Sequence, residues 1–123
     1  MVPIRGTDEA IRKLAHAGHH PVVLTNRGGL YFEVARAWIE TMRWSVKTVS
    51  VGKGRSKAPA AVALGLIAYV DDDAYKLRDL VGLVEHVFFF EQPYNRHEVI
   101  KNGITRVSTW EELFTELTAR GVV

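Results

Sequence analysis

Hydroxyl, basic and acidic side chains recur just after short apolar runs in this sequence. The run Pro21-Val22-Val23-Leu24-Thr25 ends in Thr25, Asn26 and Arg27. The β-branched run from Val46 to Val51 is followed by Gly52, Lys53 and Arg55, with Lys57 at the next helix start. Leu66-Ile67-Ala68-Tyr69-Val70 leads straight into Asp71, Asp72 and Asp73, and His86 to Phe90 leads into Glu91, Gln92, Asn95 and Arg96. In an open parallel sheet, ligands bind beyond the carboxyl ends of the strands, so these groups would share one rim. A hydroxyl, several cations and a carboxylate cluster suit a phosphate ester held with a divalent cation. Mg²⁺ takes carboxylate and water oxygens, while hydroxyl and ammonium groups donate to phosphate.

Plainer roles compete for each residue. Thr25 equally suits the cap of a turn. Lys53, Arg55 and Lys57 taken singly read as a solvated loop. Three adjacent aspartates repel one another unless a cation, solvent or a helix N-terminus relieves them. Their position at the sheet edge favours a metal-related role over a pure cap. His16, His19 and His20 surround the end of the first helix, away from the rim. His97 is the one histidine placed to touch a ligand. Trp38, Trp44 and Trp110 fall on helices or their ends and read as packing residues.

The elements that must position these groups alternate along the chain. A helix starts at Gly6-Thr7-Asp8-Glu9, with Thr7 or Asp8 as cap, and stops at Gly18. Strands are expected at 21–25, 46–51, 66–70, 86–90 and 104–107. Helices are expected from Leu30 to Trp44, from about Ala58 to Leu64 with Ser56 as a cap, and from Ala74 to Val84. A last helix should open at Ser108 through a Ser108/Glu111 capping box and close at Gly121. Alternation of this kind predicts an α/β fold, a three-layer Rossmann-like sandwich with a mostly parallel sheet. A length of 123 residues, with 47% hydrophobic and 24% charged residues, suits one domain over 1–123. Cysteine is absent, which excludes disulfides and thiolate metal sites. No apolar run nears the roughly 20 residues a membrane helix needs, and a cytoplasmic home is the simplest expectation. The net charge is only +2. The short basic stretch around Lys47, Lys53, Arg55 and Lys57 lacks interleaved aromatics and shares its rim with three aspartates, which argues against a nucleic-acid partner.

The order of these motifs resembles the haloacid dehalogenase-like superfamily, in its 5′-nucleotidase-like branch. The segment Pro21–Arg27 resembles the family strand ending in Ser or Thr. Lys57 matches the basic residue before the acidic strand. Tyr69-Val70-Asp71-Asp72 resembles the acidic motif, and Phe89–Arg96 the Pro-Asn loop. The resemblance implies hydrolysis of a phosphate monoester or nucleotide with Mg²⁺. Thr25 and Lys57 would stabilise the transferring phosphoryl group, and Thr25, Asn26, Arg27 and Lys57 would bind phosphate. Asp71 or Asp72 would hold the metal, and Asn95 and Arg96 would approach the substrate.

One departure matters most. The family's first motif, Asp-x-Asp at a strand end, supplies the nucleophile and the general acid. Asp8 is the only aspartate before Thr25, and it sits at a helix start. Asp71 and Asp73 have the right spacing but occupy the acidic-motif position. The expectation is therefore an N-terminally truncated core without a cap domain, in which the nucleophile is absent. In the family that strand lies mid-sheet, so its loss predicts closure of the gap, a strand from a second copy or another protein, or a longer gene product. The alternative is a non-catalytic phosphate- or nucleotide-binding or protein-interaction module on the same fold.

Overall fold

The computed structural model describes residues 7–20, 22–25, 47–50 and 55–122. These form an α/β structure that divides into two compact units, Met1–Arg55 and Ser56–Val122. In the first unit, α1 (Thr7–His16) precedes strands β1 (Val22–Thr25) and β2 (Lys47–Ser50), which pair in parallel with Thr25 opposite Ser50. Thr7 and Asp8 lie inside α1, so neither is the residue before it. The expected helix from Leu30 to Trp44 falls outside the described residues, as do Asn26, Arg27, Gly52 and Lys53.

The second unit holds α2 (Ala58–Leu64), β3 (Ala68–Asp71), α3 (Ala74–Leu77), β4 (His86–Phe90), β5 (Ile104–Val107) and α4 (Trp110–Ala119). The three strands form a parallel sheet in the order β3-β4-β5. β4 is central, and its run Val87-Phe88-Phe89-Phe90 is buried throughout, as a strand covered on both faces requires. Val87 and Phe89 join Ala61 of α2, Ala74 and Leu77 of α3, and Leu80, Val84 and Ile104 in one core cluster. On the alternate positions, Phe90 meets the Trp110 ring at 5.0 Å and Phe88 lies under the Arg120 guanidinium at 4.7 Å. No helix among the described residues is long and apolar enough to cross a membrane.

Local chemistry sets the element ends. α1, α2 and α4 each stop at a glycine with positive φ, Gly18, Gly65 and Gly121. In each case the glycine N–H and the next N–H turn back onto the last turn of the helix, as Gly65 does to the Val62 carbonyl and Leu66 to the Ala61 carbonyl, both at 3.1 Å. Leu66 is thereby committed to the helix end, so the strand expected at 66–70 runs instead from Ala68 to Asp71. The helix expected from Ala74 to Val84 is cut short. After Leu77 the chain tightens to a 3-10 turn, Arg78–Leu80, and Leu83 and Val84 both donate to the Leu80 carbonyl around Gly82. Buried residues at 74, 77 and 80 repeat every three positions, which fits the tighter helix. The final cap is Thr109, not Ser108: Thr109 Oγ1 accepts from the Glu112 N–H at 3.0 Å, and the Glu112 carboxylate accepts from the Ser108 N–H at 2.8 Å. At α2, Ser56 Oγ accepts from the Ala58 N–H at 3.1 Å, while Lys57 occupies the cap position.

Gly103 has a φ of 96°, and a Cβ there would lie 2.8 Å from Val81 Cγ1. Gly82 has a φ of 89° with open space around it. Gly103→Ala should therefore cost about 2–4 kcal/mol, left-handed strain plus a clash, against about 1–2 kcal/mol for Gly82→Ala. Urea unfolding midpoints of the two variants check the ordering.

Candidate functional site

Because β3, β4 and β5 are parallel and paired through Asp71–Phe89 and Phe90–Val107, their carboxyl ends share one edge. The loops after β3 and β4 meet there, and the start of α2 reaches the same edge through Lys57.

Asp71 is the hub. Its Oδ2 accepts from Lys57 Nζ at 3.0 Å and from the Tyr69 hydroxyl at 3.1 Å. Its Oδ1 accepts from the backbone N–H of Asp72 at 2.7 Å and of Asp73 at 3.1 Å. The Lys57 and Asp71 side chains are 9% and 12% exposed, so this is a buried ion pair. Burial alone would raise the Asp71 carboxyl, but the Lys57 ammonium and the hydrogen bonds outweigh it and hold it below the ordinary value. Burial, then the charge of Asp71, pushes the Tyr69 phenol up, so it stays a neutral donor.

The other two aspartates behave differently. Asp73 Oδ1 accepts from the Tyr75 N–H at 3.0 Å and the Lys76 N–H at 3.3 Å, and so caps α3. Asp72 is exposed, and its Oδ2 accepts from the Tyr94 hydroxyl. Desolvation and the neighbouring Asp71 charge move the Asp72 carboxyl up, against the lowering effect of the Tyr94 bond. The bond to Asp72 pushes Tyr94 up to about 12.

The loop after β4 is bolted to the acidic loop by Asn95, which is 2% exposed. Its Nδ2 donates to the Asp72 carbonyl at 2.9 Å and the Phe90 carbonyl at 3.1 Å, and its Oδ1 accepts from the Gln92 N–H. The Asn95 amide is thus committed to the backbone. Glu91 pairs with Arg106 at 2.8 Å, and Arg106 also donates to the carbonyls of Arg96 and Glu98 while lying over the Phe89 ring. Arg96 and His97 are exposed. A cleft of about 450 Å³ runs beside α3, lined by residues that include Tyr75, Arg78, Glu98 and Lys101.

Of the residues singled out in the sequence, the structure gathers Lys57, Asp71, Asp72, Asn95 and Arg96 around one edge. Thr25 closes β1 in the other unit, and Asn26 and Arg27 lie outside the described residues. Sequence reasoning missed the partners Tyr69, Tyr94 and Arg106. Tyr69 was within reach, because residues two apart on a strand share a face and Tyr69 therefore flanks Asp71. Arg106 carried a signal too, as a charged residue inside a strand needs a partner. Tyr94 carried none beyond its place in a polar loop. Among the described residues, no group of three or more His, Asp or Glu side chains gathers as a metal-binding set.

Lys57→Met would leave Asp71 buried without its counter-charge, and should cost about 3–5 kcal/mol at pH 7. The pH dependence should invert. In the native protein the depressed Asp71 carboxyl adds stability that is present above the unfolded carboxylate value of about 3.9 and is lost as pH falls through the lower folded value. Without Lys57, burial raises Asp71, so acidification from pH 7 to about 5 should restore part of the lost stability as Asp71 takes up a proton. Urea denaturation at both pH values reads this out, and an equal deficit at both would contradict the assignment.

Compared with known proteins, the chain matches no protein-family model, no curated protein and no solved structure.

Proposed function

We propose that this chain is the core of a haloacid dehalogenase-like phosphohydrolase of the 5′-nucleotidase-like kind. It would act on a phosphate monoester or nucleotide with Mg²⁺, on a three-layer Rossmann-like core. The nucleophilic aspartate would come from outside these 123 residues, from a further segment or a partner chain. The observation that carries the proposal is the 3.0 Å contact between Lys57, at the start of α2, and Asp71, at the end of β3. It joins the two motifs whose order suggested the family, and it lies on the unit Ser56–Val122 alone.

The support for Mg²⁺ at this edge is the single carboxylate of Asp72. That ion keeps several waters and is bound through one or two carboxylates together with phosphate oxygens. Asp72 offers one exposed carboxylate, while the four bonds to Asp71 commit that group to holding Lys57 and the turn. When bound, Mg²⁺ would neutralise phosphate charge. Lys57 would supply a second, fixed positive charge beside it, pre-oriented by Asp71, and Tyr69 would keep Asp71 from turning away. Attack on phosphorus would fall to the external carboxylate.

A second reading is a non-catalytic phosphate- or nucleotide-binding module. It is favoured by the engagement of Asp71 and Asp73: the only pair with Asp-x-Asp spacing is committed to the ion pair and to the cap of α3. Calorimetry with Mg²⁺ and a nucleoside monophosphate tests the phosphate site that both readings share, and a phosphatase assay tests the external nucleophile. The expected result is Mg²⁺-dependent binding that falls by on the order of tenfold in Asp72→Ala, with no turnover by the 123 residues alone. Turnover by those residues alone would overturn the external nucleophile. Absence of binding, unchanged by Asp72→Ala, would overturn the phosphate reading and leave a scaffold.

A further inference from the structure

The turn that leads into β5 carries the chain's one asparagine followed by glycine, Asn102-Gly103. Lys101 and Ile104 close it, the Ile104 N–H donating to the Lys101 carbonyl at 3.2 Å. Gly103 has a φ of 96°, the left-handed region that a turn closed this way reserves for glycine. Asn102 and Gly103 are both exposed. Among the described residues, no hydrogen bond engages the Asn102 side-chain amide or the Gly103 N–H. Asn95 is the opposite case. It is 2% exposed, its amide is held by Asp72, Phe90 and Gln92, and the residue after it is Arg96.

We infer that Asn102 is a site of spontaneous deamidation through a cyclic imide formed with Gly103. The Gly103 backbone nitrogen gives its proton to solvent and attacks Asn102 Cγ, and the side-chain nitrogen leaves as ammonia. Water then opens the ring at one of its two carbonyls. Opening at Cγ leaves an ordinary aspartate. Opening at the main-chain carbonyl leaves an isoaspartate, with the chain running on through Cβ and Cγ. Water is the only co-reactant. Glycine favours the closure, because no side chain shields its nitrogen and its backbone reaches conformations closed to other residues. Both products place a negative charge beside Lys101. Isoaspartate also lengthens the main chain by one carbon, in a turn so close to Val81 that position 103 has no room for a Cβ.

The rate decides whether the folded turn is open to this chemistry. Reaction from the globally unfolded chain alone would be slower in the native protein by the folding constant, about 10³-fold or more. The full chain is held in mildly alkaline buffer, with and without enough guanidinium to unfold it. Peptide mapping and ion exchange follow Asn102. The native chain should yield both aspartate and isoaspartate at 102, lose one unit of positive net charge, and keep Asn95 intact. Its rate should lie within about tenfold of the unfolded chain, as a locally opening surface turn allows. Asn102→Gln, its fold verified by circular dichroism, should stay unreacted, because its amide would have to close a larger ring. Native conversion slower than that margin would overturn the inference, as would no conversion in either state. Aspartate without isoaspartate would mark direct hydrolysis and overturn the cyclic route. Equal charge loss by Asn102→Gln would place the reaction elsewhere and overturn the site.

Discussion

A carboxylate buried at the end of a strand has to be satisfied on every side, and Asp71 shows what that demands. It draws an ammonium from the start of one helix, a phenol from its own strand and two N–H groups from the turn that follows. Removing one partner exposes the rest to the desolvation cost of an unpaired charge, which is far larger than the net worth of the pair. The path of the chain from Lys57 to Asp73 is therefore tied to a single side chain. The α2 start, the β3 end and the α3 start cannot drift independently.

That constraint divides labour among three neighbouring acids of identical chemistry. Asp71 is neutralised and immobile, Asp73 terminates a helix, and Asp72 is left facing solvent with a phenol against it. Identity of type did not decide these roles; backbone direction did. Behind them, β4 supplies a rigid apolar floor, and Asn95 locks the following loop to the acidic one. Charge at this edge is thus held by groups that are themselves held, the arrangement under which fixed dipoles and charges act most strongly.

Much of the second unit was legible in the sequence, for identifiable reasons. The apolar segment His86–Phe90 read as a buried strand, and its bounds match those of β4. Pro59 near the start and Gly65 at the end framed α2. The convergence of Lys57 with the acidic loop followed from parallel strand order. Legibility failed where two local solutions differ by small energies. A helix expected through Val84 instead tightened after Leu77, because Gly82 reversed the chain and Leu80 was needed in the core. Of the adjacent hydroxyl residues Ser108 and Thr109, the second caps α4, its Oγ1 accepting from the Glu112 N–H. Side-chain partners from different segments, Tyr94 with Asp72 and Arg106 with Glu91, depend on loop geometry that a local pattern does not carry.

The left-handed stop at Gly65 and the anchored carboxylate at Asp71 bracket a stretch of fixed length. Along it, side chains alternate, so parity alone selects which aspartate turns inward with Tyr69. The stretch acts as a ruler. Loss of one residue within it would bring Asp72 into the reach of Lys57 and strip α3 of its cap, with every residue type still present. At this edge, changes in spacing are more damaging than changes in identity, and descendants of this sequence should diverge here by replacement and hardly at all by gaps.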